Sequence, residues 1–121
     1  MSRPVGCRYT ERIAQYLVER GRDQTWDEIA AVLGMPPEAV RMHGGLLMQA
    51  FGHEPCATNR RSERIPMIMR RMRAGVWNSR LLADEYRMAV SAVYRIKHAV
   101  LVADEYMRAG RSVVDHLWMQ S

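Results

Sequence analysis

The chain has 121 residues and a mass of 14.0 kDa, with 48% hydrophobic and 26% charged residues, which fits one compact domain or two very small ones and excludes a large multidomain enzyme. Its 18 lysine and arginine residues outnumber its 13 acids, giving a net charge of +5, so the first expectation is an anionic partner. No apolar run reaches the roughly 20 residues that span a bilayer, and the N-terminus lacks the apolar segment of a secretory signal. The sequence therefore predicts a cytoplasmic protein with no membrane partner.

The first predicted helix follows Thr10, whose hydroxyl is suited to an N-cap. It ends at Gly21, a residue that tolerates the left-handed conformation at a helix C-terminus. The helical spacing of its apolar side chains predicts a buried stripe formed by Ile13, Tyr16 and Leu17.

A second, short helix is predicted after Thr25, because Thr25 and Glu28 have the spacing of a capping box. Gly34 marks its end. Pro36 and Pro37 fit the edge and first turn of a third helix, which we expect to begin near Pro37.

Residues 52–62 have the glycine, proline, asparagine and serine content of a loop, and the charge changes at the same place. Residues 1–59 carry a net charge of -1, residues 60–101 carry +7, and residues 102–121 carry -1. A local positive field attracts a polyanion more strongly than a dispersed excess does, so the middle of the chain is the predicted binding region.

The helical order then recurs in the second half. An apolar stripe ends at Gly75, Asn78 or Ser79 caps a short helix, and another helix runs from Val90 to about Val102. The stripe consists of Ile65, Ile68, Met69 and Met72.

The end of the chain contains a further possible helix start at Ser112 and Asp115. An apolar cluster nearby either caps the core or forms a dimer surface; it comprises Val113, Val114, Leu117 and Trp118.

A shift of 53 residues aligns the two halves and predicts an internal duplication. The aligned pairs include Ile29 with Leu82, Ala30 with Ala83, Leu33 with Tyr86, Met35 with Met88, and Val40 with Val93. We therefore predict an all-α fold of two tandem three-helix helix-turn-helix units with a C-terminal helix. The predicted parts are a first unit at 1–52, a linker at 53–62, a second, basic unit at 63–102 and a C-terminal helical segment at 103–121.

The second unit has the spacing of a DNA-reading helix-turn-helix, in which a short helix supports another that enters the major groove. On the helix from Val90, burial of one stripe leaves four side chains together on the other face, where they would contact bases: Ser91, Tyr94, Arg95 and His98. Lys97 is predicted to contact phosphate. The alternative is an ordinary antiparallel helix pair with solvated polar residues.

Two segments resemble known families. AVSAVYRI, at residues 89–96, resembles the start of the recognition helix in helix-turn-helix regulators and site-specific recombinases, and WDEIAAVLGMPPEAV, at 26–40, is similar to the equivalent segment of bacterial regulators and sigma-factor helical domains. The resemblance implies tandem helix-turn-helix units of a bacterial or phage transcription regulator. The second unit departs from the usual pattern at Arg87, where the turn commonly has glycine, and at Ala89, where a serine or threonine cap is common.

Phosphate contacts are predicted for the arginines around the charge change and on the following helices, unless these form only a solvated face. They are Arg60, Arg61, Arg64, Arg70, Arg71, Arg73 and Arg80. The first unit offers Arg41 and His43 beside the acidic Glu38, so we expect it to support the second unit, dimerise, or make a secondary DNA contact.

No catalytic activity, metal or other cofactor is predicted. Cys7 and Cys56 lie far apart, His43 and His53 complete no recognised zinc spacing, and no nucleophile elbow, phosphate loop or HExxH segment is present. The string ADEY occurs twice, with Asp84 and Glu85 in one copy and Asp104 and Glu105 in the other, and these acids are interpreted as helix-surface charge.

The sequence thus predicts a sequence-specific regulator that binds double-stranded DNA as a homodimer and represses a bacterial, phage or plasmid promoter. One alternative is a protein-interaction module that uses helix-turn-helix geometry to bind RNA polymerase, a nuclease or another host or phage protein. Another is an accessory in DNA packaging or recombination.

Overall fold

The computed structural model describes residues 5–53 and 63–114 of the chain. Within these two stretches the backbone forms six α-helices, which confirms the predicted all-α fold. None of the described helices combines the length and the hydropathy needed to cross a membrane. The helices are α1 (Val5–Arg20), α2 (Trp26–Leu33), α3 (Pro37–Ala50), α4 (Arg64–Arg73), α5 (Ser79–Tyr86) and α6 (Val90–Arg108).

Helix α1 begins earlier than its sequence predicts. The prediction that Thr10 is its N-cap is wrong, because the helix already starts at Val5. The Thr10 side chain is buried, and its Oγ1 lies 3.3 Å from Nδ1 of His43 on α3. The hydroxyl therefore joins two helices, a role that local sequence does not reveal. The predicted end is correct, since Gly21 follows α1 with a φ of 73°.

Helix α2 has the predicted capping box at its start. The Thr25 hydroxyl accepts a hydrogen bond from the Glu28 amide at 3.3 Å, and the Glu28 carboxylate accepts one from the Thr25 amide at 3.4 Å. Together these bonds satisfy two amide donors that the helix itself leaves free. Gly34 ends α2 with a φ of 67°, and Pro36 is the N-terminal boundary of α3.

Helix α5 is capped by Asn78, the first of the two predicted candidates. The Asn78 side chain accepts hydrogen bonds from the amides of Arg80 and Leu81. The helix ends at Tyr86, and Arg87 then adopts a left-handed conformation with a φ of 54°. A three-residue turn leads to α6, as a three-residue turn leads from α2 to α3.

The predicted duplication is present in the backbone. Adding 53 to the first residues of α2 and α3 gives the first residues of α5 and α6, and the left-handed Gly34 and Arg87 are also 53 apart. Each turn is closed by the same hydrogen bond, from Met35 to the Ala30 carbonyl in one unit and from Met88 to the Ala83 carbonyl in the other. The two halves therefore repeat one local structure, although few of their residues are identical.

The two units share a single hydrophobic core. Helix α6 packs against α1, α3, α4 and α5, and α3 also packs against α1, α2 and α4. The units at 1–52 and 63–102 are thus joined around α6 rather than folded as separate bodies. The most deeply buried large apolar side chains come from all six helices and include Ile13, Leu17, Ile29, Leu47, Met72, Leu82, Ile96 and Val100.

The C-terminal segment differs from its prediction. The expected boundary at residue 102 lies inside α6, which continues to Arg108 because Ala103 still packs in the core. Residues 111–114 are not helical, so the described residues contain no helix start at Ser112; Asp115, Leu117 and Trp118 lie outside the described residues. Val113 is 4% exposed, which agrees with its expected role in capping the core.

Two contacts to backbone carbonyls hold this segment in place. The Arg22 amide donates to the Val114 carbonyl at 2.8 Å, and Nε2 of His53 lies 2.7 Å from the Val113 carbonyl. The end of α3 and the loop after α1 are thereby connected to residues near the end of the chain.

Candidate nucleic-acid interface

Helix α6, the predicted base-reading helix, is the central helix of the fold, and only part of its predicted reading face is open. Ser91 is exposed and Tyr94 is 48% exposed. Arg95 and His98 are half-buried, and Arg95 lies in a groove between α6 and α3. The open part of the face is therefore the N-terminal half of α6.

Lys97, predicted to contact phosphate, is half-buried and has an intramolecular partner. Its Nζ donates to the backbone carbonyl of Trp77 at 3.4 Å. This hydrogen bond connects α6 to the loop between α4 and α5. Lys97 therefore has a structural contact and is not available to the phosphate contact predicted for it.

Two histidines and Arg95 lie close together where α3 packs on α6. His43 is 8% exposed, and burial lowers its pKa below the usual value, with smaller contributions in the same direction from the charges of Arg95 and His98. Burial also lowers the pKa of His98, helped by the charge of Lys97. Both imidazoles are therefore held towards the neutral form in the folded chain.

We expect the protein to lose stability as the pH falls from 7.5 to 5, in part through His43. Because the pKa of His43 is lower in the folded chain, the unfolded chain binds more protons at acidic pH. Stability is therefore fully kept well above 6.5, the ordinary pKa of the histidine, and the free energy of unfolding decreases as the pH falls below it. Urea unfolding at pH 7.5 and pH 5 measures the decline. The substitution His43→Gln should make it smaller, and an equal decline in the variant would contradict this assignment.

The turn between α5 and α6 contains a strained residue. Arg87 is the one non-glycine residue with positive φ among the described residues, a conformation that costs an L-residue roughly 1–2 kcal/mol. Arg64, from α4, donates to the carbonyls of Tyr86 and Arg87 at 3.0 and 3.2 Å. In the first unit, Arg12 makes the corresponding contact with the Leu33 carbonyl at 2.9 Å. Arg64 thus caps a helix end, a role that differs from its predicted phosphate contact.

The N-terminus of α6 is open and positively charged. Ala89 provides no side-chain cap, which is one of the two departures seen in the sequence, and a helix N-terminus carries a partial positive charge. Arg80 and Arg87 line an adjoining open concavity of about 430 Å³, together with the carboxylate of Asp84. Neither arginine forms an ion pair with another described residue. Free amides and two guanidinium groups at one place are suited to phosphate.

Two arginines predicted to contact phosphate are instead paired within the fold. Arg71 on α4 pairs with Glu85 on α5. Arg73 pairs with Asp104 on α6 at 2.9 Å and also donates to the Ala50 carbonyl at 2.7 Å. The carboxylates come from the two copies of ADEY, so the interpretation of these acids as helix-surface charge missed their partners. The sequence offers only the coincidence of basic residues on α4 and a repeated acidic string, which does not say which side chains meet.

The sequence also predicts phosphate contacts at Arg60, Arg61 and Arg70. Arg70 is exposed and has no ion-pair partner among the described residues. Arg60 and Arg61 lie outside the described residues.

The exposed face of the first unit is acidic. Asp27, Glu28 and Glu38 are exposed at the starts of α2 and α3. Arg41, predicted as a DNA contact, pairs with Asp27 at 3.0 Å, and both side chains remain more than half exposed. The arginine predicted to contact DNA at this face is therefore already neutralised by an acid of the same unit.

The described residues contain no group of three or more histidine, cysteine, aspartate or glutamate side chains that could hold a metal ion. Comparisons with known proteins return no matching family model, no matching curated protein and no matching solved structure.

Proposed function

We propose that the protein is a sequence-specific regulator that binds double-stranded DNA through the α5–α6 helix-turn-helix and represses transcription by covering its site. The DNA-binding surface consists of Arg80, Arg87, Ser91 and Tyr94, with Arg95 at its edge. No cofactor takes part in this binding.

The proposal depends on one comparison between equivalent positions of the two units. Asp27, Glu28 and Glu38 of the first unit correspond to Arg80, Leu81 and Ser91 of the second, at a constant distance of 53 residues. In the second unit, therefore, none of these three equivalent positions carries a negative charge. The second unit also has acids of its own, because Asp84 and Glu85 stand where the first unit has Ala31 and Val32, but Glu85 pairs with Arg71. With Arg80 and Arg87 unpaired among the described residues, the α5–α6 face attracts a polyanion more than the acidic α2–α3 face does.

The expected binding mode follows from the position of each group. The N-terminus of α6, Arg80 and Arg87 contact phosphates, which supplies affinity and orientation but no sequence preference. Ser91 and Tyr94 lie within the first two turns of α6, where the side chains of a recognition helix reach base edges. The hydroxyl of Ser91 bonds to a base, and the Tyr94 ring packs on a thymine methyl or its hydroxyl reaches a phosphate.

The direct test is the salt dependence of binding to DNA fragments that the purified protein selects from a random pool. The double variant Arg80→Ala/Arg87→Gly removes two phosphate contacts, and glycine suits the positive φ at residue 87. The slope of log affinity against log salt should become shallower by about 2.

The matched control is Arg41→Ala/Arg108→Ala, which removes the same charge from the first unit and from the far end of α6. Arg108 lies about 27 Å along the helix from Val90, at 1.5 Å per residue. The control should keep the native slope. Equal slopes for both double variants, or binding of the native protein that does not respond to salt, would refute the proposal.

A second candidate function is suggested by the first unit, whose acidic face also carries apolar side chains. Val32 is 55% exposed on α2, four residues after Glu28, and Met42 is 44% exposed on α3, four residues after Glu38, so each lies on the same side of its helix as an acid. Such a face fits a basic protein surface, such as part of a polymerase or nuclease, rather than DNA. If the protein works this way, a partner retained after nuclease treatment should be lost in Val32→Asp/Glu38→Arg and kept in Arg80→Ala/Arg87→Gly. Loss in both variants, or in neither, would argue against this face.

A further inference from the structure

A groove of about 280 Å³ runs between α3 and α6, on the side where the two units meet. Its walls are mostly apolar, and its volume is close to the roughly 300 Å³ at the lower limit for small-molecule pockets. A partner helix would not fit in so small a space, but a short chain or a single ring would. The main lining residues are Met42, Leu46, Met88, Ile96, Gln49 and Arg95.

One polar group of this groove, the guanidinium of Arg95, has unused bonding capacity. The Arg95 guanidinium is half-buried and forms no ion pair or hydrogen bond with another described residue; its nearby electrostatic neighbour is the imidazole of His43. A half-buried cation without an anionic partner favours a ligand that brings a negative charge into the groove.

We propose that this groove binds a small amphipathic carboxylate. The apolar body lies between Met42 and Met88, and the carboxylate accepts the forked hydrogen bonds of Arg95, whose planar guanidinium matches it. Met42 and Arg95 occupy equivalent positions of the two units, 53 residues apart. The first unit thus contributes an apolar side chain to the groove, and the second unit contributes a cationic one.

The α3 wall provides a way to fill the groove. A Cβ built at Gly45 has no atom within 4 Å, and Gly45 lines the groove. The substitution Gly45→Leu should therefore begin in open space at its Cβ and extend into the space that the ligand occupies.

The experiment is a titration of the free protein with octanoate and, separately, with octanamide, which has nearly the same shape but no charge. Binding is monitored through the NMR signals of ¹³C-labelled methionine methyl groups. Octanoate should shift the Met42 and Met88 signals to saturation and bind about ten-fold more tightly than octanamide. The signals of Met67 and Met107, which are exposed outside the groove, should not move. Arg95→Met should remove the preference for octanoate, and Gly45→Leu should weaken both ligands.

Equal affinities for octanoate and octanamide would overturn the proposal, and so would parallel shifts at Met67 and Met107, which indicate detergent-like adsorption. Unchanged methyl signals throughout would also reject it. The comparison of the two ligands on the native protein decides the matter even if a variant does not fold. Because DNA is absent from the experiment, its outcome is independent of the DNA-binding proposal.

Discussion

Replacing Gly44 by alanine is expected to lower the free energy of unfolding by about 1–3 kcal/mol, the usual cost of adding a methyl group to a filled space. A Cβ at Gly44 would lie 2.5 Å from Cζ3 of Trp26 and within 3 Å of two further atoms of the same ring. The ring cannot easily move away, because it lies at the start of α2 with the Arg22 guanidinium 4.4 Å from its centre. The added methyl must therefore push α2 away from α3, a change that urea unfolding measures.

The neighbouring glycine is the control. A Cβ at Gly45 meets no atom within 4 Å, and alanine is favoured over glycine inside a helix by up to about 1 kcal/mol. Gly45→Ala should therefore stabilise the protein while Gly44→Ala destabilises it. If both substitutions changed the free energy of unfolding in the same direction, the packing of Trp26 on α3 would not be what excludes a side chain at residue 44.

Arg73→Ala is expected to lower the free energy of unfolding by about 1.5–3 kcal/mol, the range for hydrogen bonds that involve a charged group. Arg73 links three helices, because its guanidinium on α4 donates to the Ala50 carbonyl at the end of α3 and to Asp104 on α6. Removal leaves the half-buried Asp104 carboxylate without this cation. The loss should be measurable by urea or thermal unfolding.

Arg70, three residues earlier on the same helix, is exposed and has no ion-pair partner among the described residues. Arg70→Ala should change stability by no more than about 0.5 kcal/mol. The two variants have the same net charge, so a general electrostatic effect would alter both equally. Similar stabilities for both would show that Arg73 has no special structural role.

Local features of the fold could be predicted from the sequence because their causes are local. The capping box at Thr25 and Glu28, the left-handed Gly34 and the start of α3 at Pro37 each depend on residues within one or two turns. The internal repeat added further information, because the second unit follows the same boundaries even where Arg87 replaces glycine.

Long-range contacts could not be predicted in the same way. Thr10 resembles an N-cap, but it faces His43 across 33 residues. The predicted roles of Arg64, Arg73 and Lys97 assumed that a basic side chain on a helix points to solvent, whereas each has an acceptor on another element. Charge pattern alone does not separate an arginine that binds a ligand from one that connects helices.

In the proposed DNA complex, the close packing of α3 on α6 limits how one molecule can contact a duplex. Packed helices have axes about 8–10 Å apart, whereas successive major grooves on one side of B-form DNA are about 34 Å apart. A single chain therefore cannot insert both helices into neighbouring grooves, and its shared core prevents the units from separating to do so. A palindromic operator with two half-sites would require two molecules, so the spacing of those half-sites would be set by contacts between copies and not by the linker within one chain.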